Sequence, residues 1–295
     1  MFDKSLTVST TLIVYATIVC LTALFCFFYD IKRLFRVKPR LAPTWYGDWY
    51  HFGFFIWGII LIFLFAQRGT IDLLIRYNLV SGPYWAPIIA GAVTQVLMFA
   101  FIVLCYKKLP DLYPKNINSE DTCHGKAFLQ GIFDCFAALP VIWLVGLAWG
   151  SFLTFLKKMG LPIEIKPQFI VEIFSKAESP ALITTIFIMA ACLAPMVEEL
   201  IFRGGMYRFL KSKYSMPMAF GASALFFALL HFSLISSLPL FVMGLFLAKA
   251  YERTGNILTP MALHATFNLN TLVLLLIEPD LTLMQQSGFL LNSLF

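Results

Sequence analysis

Eight apolar runs, most of them long enough to cross a bilayer, dominate this chain and leave it few ways to fold. They fall at 8–29, 50–66, 84–106, 127–156, 180–201, 217–235, 238–251 and 258–277. A helix rises 1.5 Å per residue, so about 20 apolar residues cover a hydrocarbon core of about 30 Å. Inside that core each backbone N–H and C=O needs a partner, and a continuous apolar run finds them within its own helix. The expected fold is therefore all-α: a polytopic transmembrane helical bundle of about eight spans, with 50–66 and 238–251 the shortest.

Composition agrees. Hydrophobic residues make up 60% of the chain and charged residues 13%, against about 25% charged in soluble domains. The net charge of +6 invites a nucleic-acid partner, but the basic residues collect between the spans, so no nucleic acid is expected. They report orientation instead. With the N-terminus outside, 15 of the 22 lysines and arginines face the cytoplasm: Lys32, Arg33, Arg36, Lys38 and Arg40, then Lys107, Lys108, Lys115 and Lys126, then Arg203, Arg208, Lys211 and Lys213, and finally Lys249 and Arg253. The positive-inside rule then puts both termini outside, although Lys157, Lys158, Lys166 and Lys176 share one external loop. The first run lacks a cleavage signature and reads as a retained helix. The expected location is the cell (cytoplasmic) membrane, in contact with the lipid bilayer. Six cysteines lack zinc-type spacing and imply no disulfide framework.

Intramembrane polar residues accumulate only late in the chain. Residues 1–156 read as supporting transmembrane helices, with 127–156 kinked or broken at Pro140. A polar loop follows at 157–179, then a functional helical core at 180–277 and a tail at 278–295. Gly204-Gly205 and a short apolar turn, Met206 to Leu210, lead to 211–215, which reads either as a short interfacial helix reaching back toward the membrane or as a cytoplasmic connector with snorkelling lysines.

The uncharged run from Ala181 to Val197 closes on Glu198-Glu199-Leu200-Ile201-Phe202-Arg203. A charge at such depth costs roughly 2.5–3.5 kcal/mol on insertion scales, so it faces the bundle interior, pairs, and marks a site. On a continuous helix Glu199 and Arg203 share a face, while Glu198 sits about 100° around. Glu199 and Arg203 make a local ion pair. Glu198 is free to aim at the bundle centre, where desolvation favours a general base. The three residues also read as a charge cluster at a helix end.

On the next run Phe227 and His231 are four apart, which sets an aromatic wall one turn from an imidazole. A single histidine on an apolar helix also reads as an interhelical hydrogen-bonder. The last run repeats the spacing in His264 and Asn268, two costly polar groups on one face. Four side chains from three helices could share one water and one carbonyl: Glu198 and His231 as base or metal ligands, His264 and Asn268 as donors to an oxyanion. That inventory fits peptide-bond hydrolysis.

Glu198-Glu199-x-x-x-Arg203, Phe227-x-x-x-His231 and His264-x-x-x-Asn268, in that order, resemble the three motifs of the CPBP intramembrane proteases, the family of type II CAAX prenyl endopeptidases and bacteriocin-processing or immunity proteins. Thr254-Gly255-Asn256-Ile257-Leu258 resembles that family's approach to its third motif, and Phe202-Arg203-Gly204 its exit from the first. The resemblance covers about 180–270. It implies Glu198 as the water-activating base, His231 on the same water, His264 and Asn268 as the oxyanion hole, and Glu199, Arg203 and Phe227 in support. It also implies a helical bundle with a cavity open to the cytoplasm and to lipid, and a membrane-bound or lipidated protein substrate, such as a prenylated CAAX tail. The cofactor is either none or Zn2+. Glu198, His231 and His264 could form a His₂Glu zinc site, but the H-E-x-x-H spacing is absent, which favours metal-free hydrolysis.

Ser223, in Gly221-Ala-Ser223, suggests a serine nucleophile but fits small-residue packing better. Asp48 lies in a polar loop and is set aside as an aspartyl catalyst. Two other function classes share the inventory. One is a catalytically silent membrane scaffold or bacteriocin-immunity partner. The other is a proton-coupled transporter, against which the absence of a second polar cluster in the first half weighs.

Overall fold

The computed structural model describes residues 10–34, 42–113 and 123–277, and all of the regular structure among them is helical. The helices are α1 (Thr10–Leu34), α2 (Trp49–Arg76), α3 (Trp85–Lys108), α4 (His124–Lys158) and the short α5 (Phe169–Ser175). A composite helix follows: α6 (Pro180–Ile188), a first π turn (Met189–Leu193), α7 (Ala194–Glu199), a second π turn (Leu200–Tyr207) and α8 (Arg208–Lys213). The chain then forms α9 (Met216–Leu229), α10 (Leu234–Thr254) and α11 (Leu258–Ile277).

Among the described residues each of the eight expected runs forms helix over most of its length, and seven helices are long and apolar enough to cross a membrane. The protein is an integral membrane protein. The short runs 50–66 and 238–251 lie inside helices of 28 and 21 residues. The 217–235 run falls short instead. Its helix, α9, has 14 residues, about 21 Å at 1.5 Å each. The chain leaves it in a turn where Phe232 adopts φ +50°, so the helix ends at the level of the site.

α4 packs against α1, α10 and α11. Its buried positions include Ala127, Gly131, Ala137, Ala138, Gly146 and Gly150, small residues that let helices approach where lipid offers no hydrophobic drive. At Gly131 a Cβ would fall 2.3 Å from the Thr259 carbonyl oxygen, so only glycine permits the crossing that seats the first turns of α11. α4 continues unbroken through Pro140, contrary to a break there. A proline removes one helical bond, and neighbouring helices hold the rest in register.

Proline has a larger effect in the composite helix. The Ala194 N–H bonds to the Met189 carbonyl, five residues back. The Ala190 carbonyl would then look to residue 195, but Pro195 has no N–H. The first π turn therefore leaves the Ala190 oxygen for a partner outside the helix.

Of the two readings of 211–215, the structure has helix as far as Lys213, and Arg203, Tyr207, Arg208 and Phe209 are buried. The cause is tertiary. Arg208 Nε donates to the Pro43 carbonyl at 3.0 Å, and its Nη1 donates to Leu112 at 2.7 Å and to Gly204 at 3.1 Å. Lys211 Nζ donates to Ala42 at 2.9 Å and to both oxygens of Glu252. Distant connections thus supply the acceptors that solvent would otherwise provide. Two other orienting charges are also paired: Lys249 with Asp30 at 3.1 Å, and Arg253 with Asp30 and Asp134. Arg36, Lys38, Arg40, Lys115 and the tail 278–295 lie outside the described residues.

Candidate active site

Where the composite helix, α9 and α11 converge, a cavity of about 250 Å³ is lined by Glu198, Phe227, His231, His264 and Asn268. The four side chains singled out for catalysis thus border one space. α7 carries Glu198, the turn after α9 carries His231, and α11 carries His264 and Asn268 one turn apart. Because α9 stops at Leu229, its C-terminal turn delivers His231 to this depth and goes no further.

The imidazoles are oriented from behind. His231 Nδ1 lies 2.7 Å from the Phe227 carbonyl oxygen; a carbonyl only accepts, so Nδ1 carries the hydrogen. His264 Nδ1 lies 3.0 Å from Glu199 Oε1 and donates to that carboxylate in the same way. Both Nε2 atoms therefore face Glu198, whose Oε2 is 3.9 Å from His231 Nε2 and 4.0 Å from His264 Nε2. That oxygen is buried without a hydrogen bond. A water about 2.8 Å from two groups so spaced would see them about 90° apart, a workable hydrogen-bond angle.

Glu199 and Arg203 lie behind this face and are fully buried. Arg203 Nη1 donates to Glu199 Oε1 at 2.8 Å, and its Nη2 donates to the Gly244 carbonyl at 3.0 Å. At Gly244 a Cβ would fall 2.8 Å from Ala224 Cα, so glycine permits the α9–α10 approach that brings this carbonyl to Arg203. The expected Glu199–Arg203 pair is present, and Glu199 also holds His264. Phe227 is the wall between them. Its ring centroid is 4.7 Å from that of His231 and 5.5 Å from that of His264, and Arg203 Cζ sits 4.7 Å from it on a third side.

Asn268 has a partner the spacing did not suggest. Its Nδ2 donates to the Ala190 carbonyl at 2.8 Å, the oxygen freed by the first π turn and Pro195. A carboxamide nitrogen has two hydrogens, so one remains for the cavity.

Glu198 Oε2 stands farther from His231 and His264 than bound zinc ligands stand from one another. Ligands about 2.0–2.1 Å from a tetrahedral ion lie about 3.3 Å apart, against 3.9 and 4.0 Å here. Among the described residues no group of three His, Cys, Asp or Glu has metal-holding spacing.

Sequence reasoning missed Gln95 and Gln168, which line the same cavity. The signal for Gln95 was an amide within the apolar run 84–106. Ser223 does not line the cavity; its Oγ is buried 3.4 Å from the Phe202 carbonyl. Asp48 is the residue before α2.

Residues 180–270 match the model of a family described as Rce1-like, type II CAAX prenyl endopeptidase. The match supports the CPBP family and falls on the segment that carries the three motifs. An Escherichia coli protein named "Uncharacterized 24.3 kDa protein" is 34% identical over 146 residues, which cover 43% of this chain and 65% of that protein's length. No solved structure matches the chain significantly.

Proposed function

We propose, taking the Rce1-like match of residues 180–270 as the premise, that the protein is an intramembrane endopeptidase that hydrolyses a peptide bond of a membrane-bound or lipidated polypeptide. A prenylated CAAX-type tail is the substrate class that the family description suggests. The carrying observation is Glu198 Oε2, buried without a hydrogen bond beside a cavity and facing two imidazole Nε2 atoms at 3.9 and 4.0 Å.

Glu198 takes a proton from a water held in this gap. His231 Nε2, whose lone pair is free because Nδ1 gives its hydrogen to Phe227, accepts the other hydrogen and orients the nucleophile. The water oxygen attacks the scissile carbonyl carbon. As the C–N bond breaks, Glu198 returns its proton to the amine. The oxyanion of the tetrahedral intermediate needs donors. Asn268 offers its remaining N–H. His264 can donate from Nε2 only as the imidazolium, because Nδ1–H is committed to Glu199; that cation neutralises the single negative charge left by Glu198, Glu199 and Arg203. Glu199 and Arg203 are positioning residues acting through His264. None of these steps routes through a metal.

The site faces the cytoplasmic side in this reading, with α8 ending in Lys211 and Lys213 as the positive-inside rule favours.

The decisive comparison uses purified protein and Glu198→Ala with prenylated CAAX peptides, with and without chelator. Cleavage that persists in chelator and is lost in the variant is expected. Equal cleavage by both proteins removes Glu198 from the mechanism, and chelator-sensitive cleavage restored by Zn2+ removes the metal-free assignment.

A further inference from the structure

One polar atom on the cavity wall is left unexplained by this chemistry. Gln95 lines the cavity, and its Oε1 is buried without a hydrogen bond. It comes from α3, in a part of the chain that the family match does not reach. The packing aims it inward. Gly91 is one turn earlier on the same face, and a Cβ there would lie 3.2 Å from Met189 Cε on the first π turn. α3 thus lies against the segment that leads to Ala190 and Glu198.

A buried carboxamide oxygen without a partner is costly, and the cost is recovered when something donates to it. A peptide crossing Glu198 must be extended, and an extended backbone presents N–H and C=O groups that each need a partner. Sheet proteins meet this need by lending an edge strand. The described residues here contain no strand, and much of the cavity lining is apolar, Val171, Leu240, Met243 and Leu272 among it. A side-chain amide is the available substitute for a neighbouring strand.

We propose that Gln95 is a substrate-binding residue whose carboxamide oxygen accepts a backbone N–H of the bound peptide beside the scissile bond. This rests on the endopeptidase reading and adds how the substrate backbone is held. Gln168, on the same cavity, supplies a second amide of the same chemistry.

The test uses a fluorescent prenylated CAAX peptide and a series in which each backbone N–H is replaced in turn by an ester oxygen. Binding is read on Glu198→Gln protein, and turnover on the wild type, each with and without Gln95→Met. One ester position should weaken binding about tenfold in the Gln95 protein and less than about twofold with Gln95→Met, since a lost hydrogen bond is worth about one decade. Turnover by Gln95→Met should show a KM raised about tenfold with kcat nearly unchanged, the signature of lost uniform binding. A position-independent ester effect, an equal effect in both proteins, or no binding of any peptide overturns the proposal. The two readings fail separately: binding with the ester signature but no cleavage by the wild type sinks the hydrolase alone, whereas cleavage with an unchanged KM in Gln95→Met sinks Gln95 alone.

Discussion

Glu198 and Glu252 are both acidic residues on apolar helices of the same core, and their surroundings differ. Both oxygens of Glu252 are taken: Oε1 by Lys211 at 2.7 Å, and Oε2 by Lys211 at 3.0 Å and by Tyr207 Oη, which donates at 2.9 Å. Glu198 has its Oε2 buried with no hydrogen bond, beside a cavity. A carboxylate whose two oxygens are both satisfied by the protein ties helices together, whereas Glu198 Oε2 borders a cavity with a hydrogen bond still to be made. Glu252 is also the deeper of the two, its side chain 3% exposed against 22% for Glu198.

The largest expected effect separates the two by function. Glu198→Ala should lower peptide cleavage by about a thousandfold, within the range of positioned acid–base groups, while its melting temperature in detergent stays within a few degrees of wild type. A large drop in melting temperature would make Glu198 a structural residue like Glu252. Glu252→Ala should do the reverse. Removing one member of a buried pair costs about 3–5 kcal/mol, read as a lowered unfolding midpoint, with cleavage per folded molecule retained. His264→Ala should fall between them on activity, losing about a hundredfold in kcat, with melting temperature affected only modestly.

Smaller effects sharpen the boundary. Gly244→Ala should destabilise the protein by about 1–3 kcal/mol, as overpacking does, because the added methyl meets Ala224 Cα at 2.8 Å, and activity should fall as the Gly244 carbonyl moves away from Arg203. Ser223→Ala should change stability by less than about 1.5 kcal/mol, the value of one hydrogen bond, and leave cleavage unaltered. Cleavage abolished in a folded Ser223→Ala protein would reopen the serine nucleophile.

Much of the site was legible because its chemistry repeats at helical spacing. Glu199 with Arg203, Phe227 with His231 and His264 with Asn268 are each four apart, and each pair does share a face or a contact. What escaped were relations between distant segments. Asn268 reaches Ala190, 78 residues away. Arg253 pairs with Asp30 and Asp134, 223 and 119 residues away. Arg208, counted only among the cytoplasmic basic residues, is buried because Pro43 and Leu112 supply its acceptors.

Hydropathy and spacing by themselves determined that this chain is a polytopic helical membrane protein and which polar residues are costly enough to cluster, because apolar run length and the i, i+4 repeat are local properties. Only the tertiary structure decided that α9 stops short and turns His231 inward, that Pro195 frees the Ala190 carbonyl for Asn268, and that Gln95 of α3 borders the same cavity as Glu198. Those outcomes depend on which backbone and side-chain groups lack a partner in their own helix, and the partner is chosen by packing between segments far apart in the chain.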